Sequence, residues 1–177
     1  MSREKAKKIK MLVLDVDGVL TDGIINYGNF ADNYRCFHVH DGFGIRIWHK
    51  QGFKTAVISG KKSNALKRRV KDLKINMLYA GYADKLKAFR QILKKYKLKN
   101  EEVCFVGDDL FDLPVMINCG FSATVPEACA EVRDSADYVT QKGAGRGAVR
   151  EVIEFIFKAQ DKWDAIVSSY KTSSHKT

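Results

Sequence analysis

Four short apolar runs punctuate the chain, and each ends on a polar or small residue: Met11-Leu-Val-Leu-Asp15, Lys54-Thr-Ala-Val-Ile-Ser59, Val103-Cys-Phe-Val-Gly107 and Phe121-Ser-Ala-Thr-Val125. Short runs rich in apolar and β-branched side chains, without polar alternation, predict strands buried on both faces, as in a parallel sheet. Between them the period changes. Leu86, Phe89, Leu93 and Tyr96, and later Val149, Val152, Ile153 and Ile156, recur every third or fourth residue, the spacing of one helix face. Asp41, Ser63 and Pro126 are placed to start helices, Gly52 and Gly120 to stop them. Alternating buried strands and helices predict an α/β fold, a three-layer Rossmannoid sandwich around a central parallel sheet. Residues 24–39 break the alternation. There Ile24-Ile25-Asn26-Tyr27 and Tyr34-Arg35-Cys36-Phe37 flank the turn formers Gly28-Asn29 and Asp32-Asn33, which predicts a β-hairpin inserted after the first strand.

With 177 residues, 45% of them hydrophobic, the chain has the size of one compact domain, expected over residues 11–166 between a basic tail, 1–10, and a polar tail, 167–177. No stretch approaches the roughly 20 apolar residues of a membrane span. The lysines at the N-terminus precede an apolar run too short for a secretory signal, so a soluble, cytoplasmic protein is expected. Cys36, Cys104, Cys119 and Cys129 include no CxxC pair, which argues against a disulfide framework or a zinc site. The net charge of +10 raises the question of nucleic acid, but residues 1–10 alone carry five positive charges and one negative. Neither tail interleaves aromatics with its charge as a base-stacking surface does, and the remaining modest excess suits a small anionic substrate.

In an open α/β sheet ligands collect beyond the carboxyl ends of the strands. The residues there are Asp15 and Asp17, Ser59 and Gly60, and Asp108 and Asp109, with Lys85 opening a predicted helix. A single strand-terminal aspartate is more often a cap or turn former than a catalyst. Several of them on one rim, beside a lysine, make a different proposition: hard oxygen ligands for magnesium and a counterion for phosphate. Asp15 and Asp17 face the same side only while the chain between them stays extended, and Gly18 lets the backbone approach a ligand.

In order, Asp15-Val-Asp17-Gly18-Val-Leu-Thr21-Asp22, Ile58-Ser59-Gly60, Asp84-Lys85 and Gly107-Asp-Asp-Leu-Phe-Asp112 resemble the four signature motifs of the haloacid dehalogenase superfamily. Thr21-Asp22-Gly23, Asp41-Gly42-Phe-Gly44-Ile45-Arg46 and Gly145-Arg-Gly-Ala-Val-Arg-Glu151 further resemble its cap-less branch, the 3-deoxy-D-manno-octulosonate 8-phosphate phosphatases of lipopolysaccharide precursor synthesis. That resemblance implies a cytoplasmic homotetramer in which a neighbouring subunit's hairpin helps to close the active site. It implies that Asp15 attacks phosphorus and that Asp17 first protonates the leaving oxygen and then activates water. Magnesium is expected on the Asp15 side chain, the Asp17 carbonyl and the Asp108 side chain, and the phosphoryl group on Ser59, Gly60 and Lys85, with Asp109 and Asp112 in supporting positions. Sugar recognition falls by the same resemblance on His38, Val39, His40, Asp41, Gly42, Arg46, Lys61 and Arg69, together with Asp17 and Lys85; Arg146 is a possible accessory from the glycine-rich stretch. Lys61 and His40 stand where relatives carry arginine, and lysine lacks the planar grip of arginine on a carboxylate.

Three alternatives stay open. Nonulosonate 9-phosphate phosphatases share the scaffold, a phospho-accepting signalling domain also clusters acids around a lysine, and some relatives serve only in oligomerisation. Asp17 speaks against the second, since a receiver needs no acid two residues after its nucleophile, and the intact motifs speak against the third.

Overall fold

The computed structural model describes residues 2–26 and 34–172. Its centre is a six-stranded, all-parallel sheet in the order β3-β2-β1-β4-β5-β6. The strands are β1 (Met11–Leu14), β2 (Lys54–Ser59), β3 (Met77–Ala80), β4 (Val103–Val106), β5 (Phe121–Thr124) and β6 (Tyr138–Val139). All four apolar runs are strands, and Asp15, Gly107 and Val125 stand just past the ends of theirs. The sequence patterns did not reveal β3, which is half-buried and poor in β-branched residues, or the two-residue β6.

Because side chains alternate along a strand, β1 feeds two cores at once. Leu12 and Leu14 enter one core with Ala6, Trp48, Leu66, Val152 and Ile166. These come from helices α1 (Ser2–Lys7), α2 (Val39–Lys50), α3 (Asn64–Asp72), α7 (Ala148–Ala159) and α8 (Trp163–Thr172). Met11 and Val13 enter the other with Phe89, Ile92, Val115 and Val132, from α4 (Lys85–Tyr96), α5 (Leu113–Met116) and α6 (Ala130–Ser135). Both faces of the sheet are therefore covered. No helix among the described residues is long and apolar enough to cross a membrane.

Several local expectations change. Residues 1–10, expected as a basic tail, include α1 over 2–7, and Ala6 and Ile9 are buried. The expected hairpin has no strand in its described flanks, 24–26 and 34–38, and its turn lies outside the described residues. Val39 and His40 instead open α2, because the Nδ1 of His38 accepts from the His40 amide at 3.2 Å and caps the helix three residues before Asp41. Phe37 is half-buried and packs against the core beneath Arg69. Ser63 caps α3 as expected, whereas Pro126 lies in a turn and α6 starts after Cys129. Gly120 does not end a helix; it opens the way into β5 where a side chain would overlap the backbone of Glu101.

Asp41, freed from starting α2, joins that helix to α7. Its Oδ2 accepts from the amide of Gly147 at 3.1 Å and its Oδ1 from that of Arg150 at 2.9 Å, satisfying donors that an α-helix leaves unpaired at its N-terminus. Asp41→Ala should lower the free energy of unfolding by about 1–3 kcal/mol, the cost of stranding enclosed donors. Asp41→Asn should cost less. Urea denaturation measures both, and an alanine variant as stable as the parent would mean that the first turn of α7 finds other acceptors.

Candidate active site

The chain runs from β1 outward through β2 to β3, then returns to the other side of β1 as β4. Where the order reverses, the loops after β1 and β4 diverge and leave a crevice at the strand ends. Asp15 leaves β1 there, its amide held by the Val106 carbonyl at 2.9 Å. Asp108 follows β4 one residue beyond Gly107. The crevice is a cavity of about 600 Å³ lined by Asp15, Asp17, Gly60, Lys61, Lys85 and Asp108, with Tyr82 and Phe111 among its walls. A larger cavity of about 780 Å³ opens by Lys7, Lys10, Phe53 and Gln160, at the opposite, amino-terminal ends of β1 and β2, and the clustered acids are not there.

Lys85 organises the crevice. It opens α4 behind the Asp84 cap and is 2% exposed. Its Nζ lies 2.8 Å from Asp15 Oδ1 and 2.6 Å from Asp112 Oδ1, with the Phe111 ring 4.3 Å away. The other oxygen of Asp112 accepts from the amides of Asp108 and Asp109 at 3.0 and 3.3 Å. Asp112 is thereby fully engaged as the anchor of both the lysine and the loop after β4. Two glycines permit this crowding. A side chain on Gly107 would overlap Asp112, and one on Gly18, whose φ is +90°, would overlap the Asp108 carboxylate.

Oxygens of Asp15, Asp108 and Asp112 lie within 4.8 Å of one another. Three carboxylates crowd together while the one lysine pairs with two of them, Asp15 and Asp112, and burial raises the cost of their charge. Burial, then the Asp112 carboxylate, push Asp15 up to about 6 against the pull of Lys85. Burial, then Asp15 and Asp112, push Asp108 up to about 8. Asp108 Oδ1 is enclosed and has no hydrogen-bond partner among the described residues. With Asp112 committed, Asp15 and Asp108 are the carboxylates left to hold a cation, and a hard dication fits this oxygen donor set.

The remaining candidates divide. Ser59 is buried, and its Oγ bonds both the amide and the carbonyl of Lys61, at 3.2 and 3.1 Å, so it shapes the turn that carries Gly60 and Lys61 to the cavity. Asp109 is exposed and caps the short turn Leu110–Asp112. His38, Val39, His40, Asp41, Gly42 and Arg69 gather instead around the start of α2. Arg69 donates to the His38 carbonyl at 3.0 Å, and a side chain on Gly42 would overlap its guanidinium. Arg46 lines a separate cavity with His49 and Asp72. The glycine-rich stretch before α7, including Arg146, meets the Asp41 carboxylate at the helix start and packs Gly145 against Thr21 and Asp22. Three residues of the site escaped the sequence patterns: Tyr82, Phe111 and Arg35, whose Nη2 pairs with Asp17. Phe111 had a signal, its place inside the last acidic motif.

Comparison with known proteins agrees with this geometry. Residues 44–120 match the family model of haloacid dehalogenase-like hydrolases. The chain is 44% identical over 160 residues to the 3-deoxy-D-manno-octulosonate 8-phosphate phosphatase of Escherichia coli K12, covering 90% of this chain and 85% of that protein. A crystal structure of the phosphatase of that name from Moraxella catarrhalis, in complex with magnesium ion, phosphate ion and a KDO molecule, is 39% identical with a TM-score of 0.92, over 95% of this chain and 97% of that one. The cobalt-bound form of the Haemophilus influenzae phosphatase is 37% identical with a TM-score of 0.88, over 91% and 94%.

The raised carboxylates have a consequence for stability. In protein stripped of divalent cations, Asp15 and Asp108 bind protons more tightly folded than unfolded, where an aspartate titrates at about 3.9. The folded state then holds the extra protons between about pH 4 and about 8. Their contribution is present in full below the unfolded value and is lost as pH rises through the folded ones. Melting temperatures of chelated protein, taken against pH, should fall less from pH 5 to 8 in Asp108→Asn than in the parent. An equal fall in both would remove Asp108 from the cause.

Proposed function

The chain belongs to the haloacid dehalogenase-like hydrolases, in the branch of the 3-deoxy-D-manno-octulosonate 8-phosphate phosphatases, and from that premise we propose that it hydrolyses this eight-carbon sugar-acid phosphate through an aspartyl-phosphate on Asp15. The observation that carries the proposal is the buried Lys85, strung between Asp15 and Asp112 beside an Asp108 oxygen with no partner among the described residues, at the ends of β1 and β4.

In the first half-reaction an oxygen of Asp15, oriented by Lys85, bonds to phosphorus while the bond from phosphorus to the sugar oxygen breaks. Asp17 gives its proton to the departing oxygen. In the second half a water attacks phosphorus, Asp17 takes its proton, and the bond to Asp15 breaks. Splitting the displacement in two is how a carboxylate nucleophile helps with an otherwise very slow hydrolysis. The turn shaped by Ser59 presents the Gly60 amide to the phosphoryl oxygens, and Lys85 adds its charge, so that donors are in place before charge develops. The Asp15 and Asp108 side chains and the Asp17 carbonyl would hold magnesium. Bound there, magnesium supplies the positive charge that lets an anionic nucleophile meet an anionic phosphate.

For the sugar acid we assign Lys61 to the cavity mouth, and the His38-Val39-His40 segment, braced by Arg69, to the approach, with Arg46 more remote. Asp41 and Gly42 act through the shape of the first turn of α2. Ile24, Ile25 and Tyr34 are exposed in the described flanks of the insert, which supports self-association there; the homotetramer and the cytoplasmic location rest on the family resemblance.

Phosphate release from a panel of eight- and nine-carbon sugar-acid phosphates tests the assignment. The eight-carbon substrate should have the highest kcat/KM, and excess chelator or Asp108→Ala should abolish turnover; activity that survives chelation would sink the metal assignment. Asp15→Asn should abolish both turnover and covalent labelling. Asp17→Asn should slow enzyme phosphorylation by the sugar substrate about 10²–10⁴-fold, the usual worth of an acid-base group, but by p-nitrophenyl phosphate less, because that leaving group needs no proton. Equal losses on the two substrates in single-turnover experiments would take the acid role from Asp17.

A further inference from the structure

Two large rings stand open at the catalytic crevice, and neither attack on phosphorus nor proton transfer needs them. Tyr82 is 37% exposed and Phe111 52%, and both line the cavity that holds Asp15, Gly60, Lys61 and Lys85. Each is held in place. Tyr82 follows Gly81 out of β3, and the two amides donate to the Ser59 carbonyl at 3.2 and 2.8 Å, which ties this turn to the end of β2. The buried Tyr79 ring meets the Tyr82 ring in a T-shape, with centroids 4.9 Å apart. Phe111 lies against the Lys85 ammonium, 4.3 Å from its ring centroid, and this cation–π contact fixes the ring while more than half of the residue stays open.

We propose that Tyr82 and Phe111 are specificity-determining residues, an aromatic wall for the C–H face of a cyclic phosphate ester, an inference that rests on the phosphatase reading above. A sugar ring has two characters, with hydroxyls around its edge and C–H groups on its faces. The cavity has two as well. Its charged and amide-bearing side suits the phosphate and the hydroxyls, whereas open aromatic rings suit C–H surface, from which water is expelled on contact. A cavity of about 600 Å³ is the size of a small-molecule site, so the occupant is a ligand rather than a folded partner. Tyr82 lies three residues before Lys85, and Phe111 rests on Lys85 itself. Both rings therefore stand beside the phosphoryl site, where the carbon skeleton attached to the phosphate has to pass. Because they are braced beforehand, little ordering is needed when a ring settles on them. The wall selects cyclic esters, sugar or aryl, over open-chain esters of similar charge.

The test sets two cyclic esters against an open-chain one. kcat/KM is measured with magnesium for the eight-carbon sugar-acid phosphate, p-nitrophenyl phosphate and glycerol 3-phosphate, and each variant is compared with the parent substrate by substrate, so that leaving-group reactivity cancels. Tyr82→Ala and Phe111→Ala should each cost the cyclic esters on the order of 10-fold more than glycerol 3-phosphate, the worth of a modest apolar contact. The loss should fall on KM more than on kcat, as expected where binding rather than chemistry is touched. Tyr82→Phe keeps the ring and should restore the preference; Phe111→Leu, apolar but without a flat face, should fall between alanine variant and parent. Equal losses on all three esters, or a Tyr82→Phe variant as impaired as Tyr82→Ala, would overturn the wall. Equal losses together with a lower mass of Tyr82→Ala in light scattering would overturn it in favour of a neighbouring copy as the cover. A parent that hydrolyses the other two esters but not the sugar-acid phosphate overturns the assigned substrate, and the wall then stands or falls on p-nitrophenyl phosphate against glycerol 3-phosphate. A parent that hydrolyses none of the three overturns both.

Discussion

A single buried lysine shared by two buried carboxylates sets the terms for the rest of the molecule. Lys85 is held by Asp15 and Asp112 where almost no water reaches. Such a group is tolerated only with its hydrogen bonds filled, and each partner here is fixed in turn. Asp112 is tied to the two amides that open the loop after β4, and Asp15 to the backbone of β4 itself. The lysine therefore fastens α4 to both central strands, and its charge cannot move without disturbing the sheet. That rigidity suits a site in which donors have to be in place before charge develops.

The sheet supplies what the lysine cannot. Parallel strands covered on both faces bring their carboxyl ends to one rim, and the reversal of strand order opens a crevice there. Packing three carboxylates into it demands backbone without side chains at Gly18 and Gly107. Those glycines are needed where they stand for steric reasons, as much as the acids are for chemical ones. The segment proposed for sugar recognition is built differently. It hangs on the His38 cap of α2 and on Arg69, with Asp41 turned inward to α7. Chemistry thus rests on the sheet, and the approach to it on a helix end beside the insert.

This division explains what was legible in the sequence. Asp15, Ser59 and Asp108 could be read because each directly ends or follows an apolar run, and a parallel sheet sends such positions to one place whatever the details. Lys85 needed only the start of a helix. β3 and β6 escaped because Met77-Leu-Tyr-Ala is short and half-exposed and β6 has two residues, so neither carries a periodic signal. His38 and His40 alternate like strand residues, but a local bond between them starts a helix, and a period of two over three residues cannot tell these apart. Arg35 was beyond reach for another reason. Its partner Asp17 is eighteen residues away across the insert, a tertiary pairing that no local pattern encodes.

The charge count carries the last step. Asp15, Asp108 and Asp112 surround one ammonium group, so two negative charges stay unbalanced in an enclosed space. A protein has few ways to settle such an excess: it can take up protons, or it can bind a cation. The upward push on Asp15 and Asp108 is the first route, and it works against the nucleophilic role proposed for Asp15, since a protonated carboxyl cannot attack phosphorus. Adding a phosphate dianion makes the excess worse. Lys85 cannot offset both, because two carboxylates already share it. A dication held by Asp15 and Asp108 would resolve the conflict, since its charge would favour their ionised forms and would give the phosphate a positive partner. The need for a metal thus follows from the number of carboxylates gathered around Lys85.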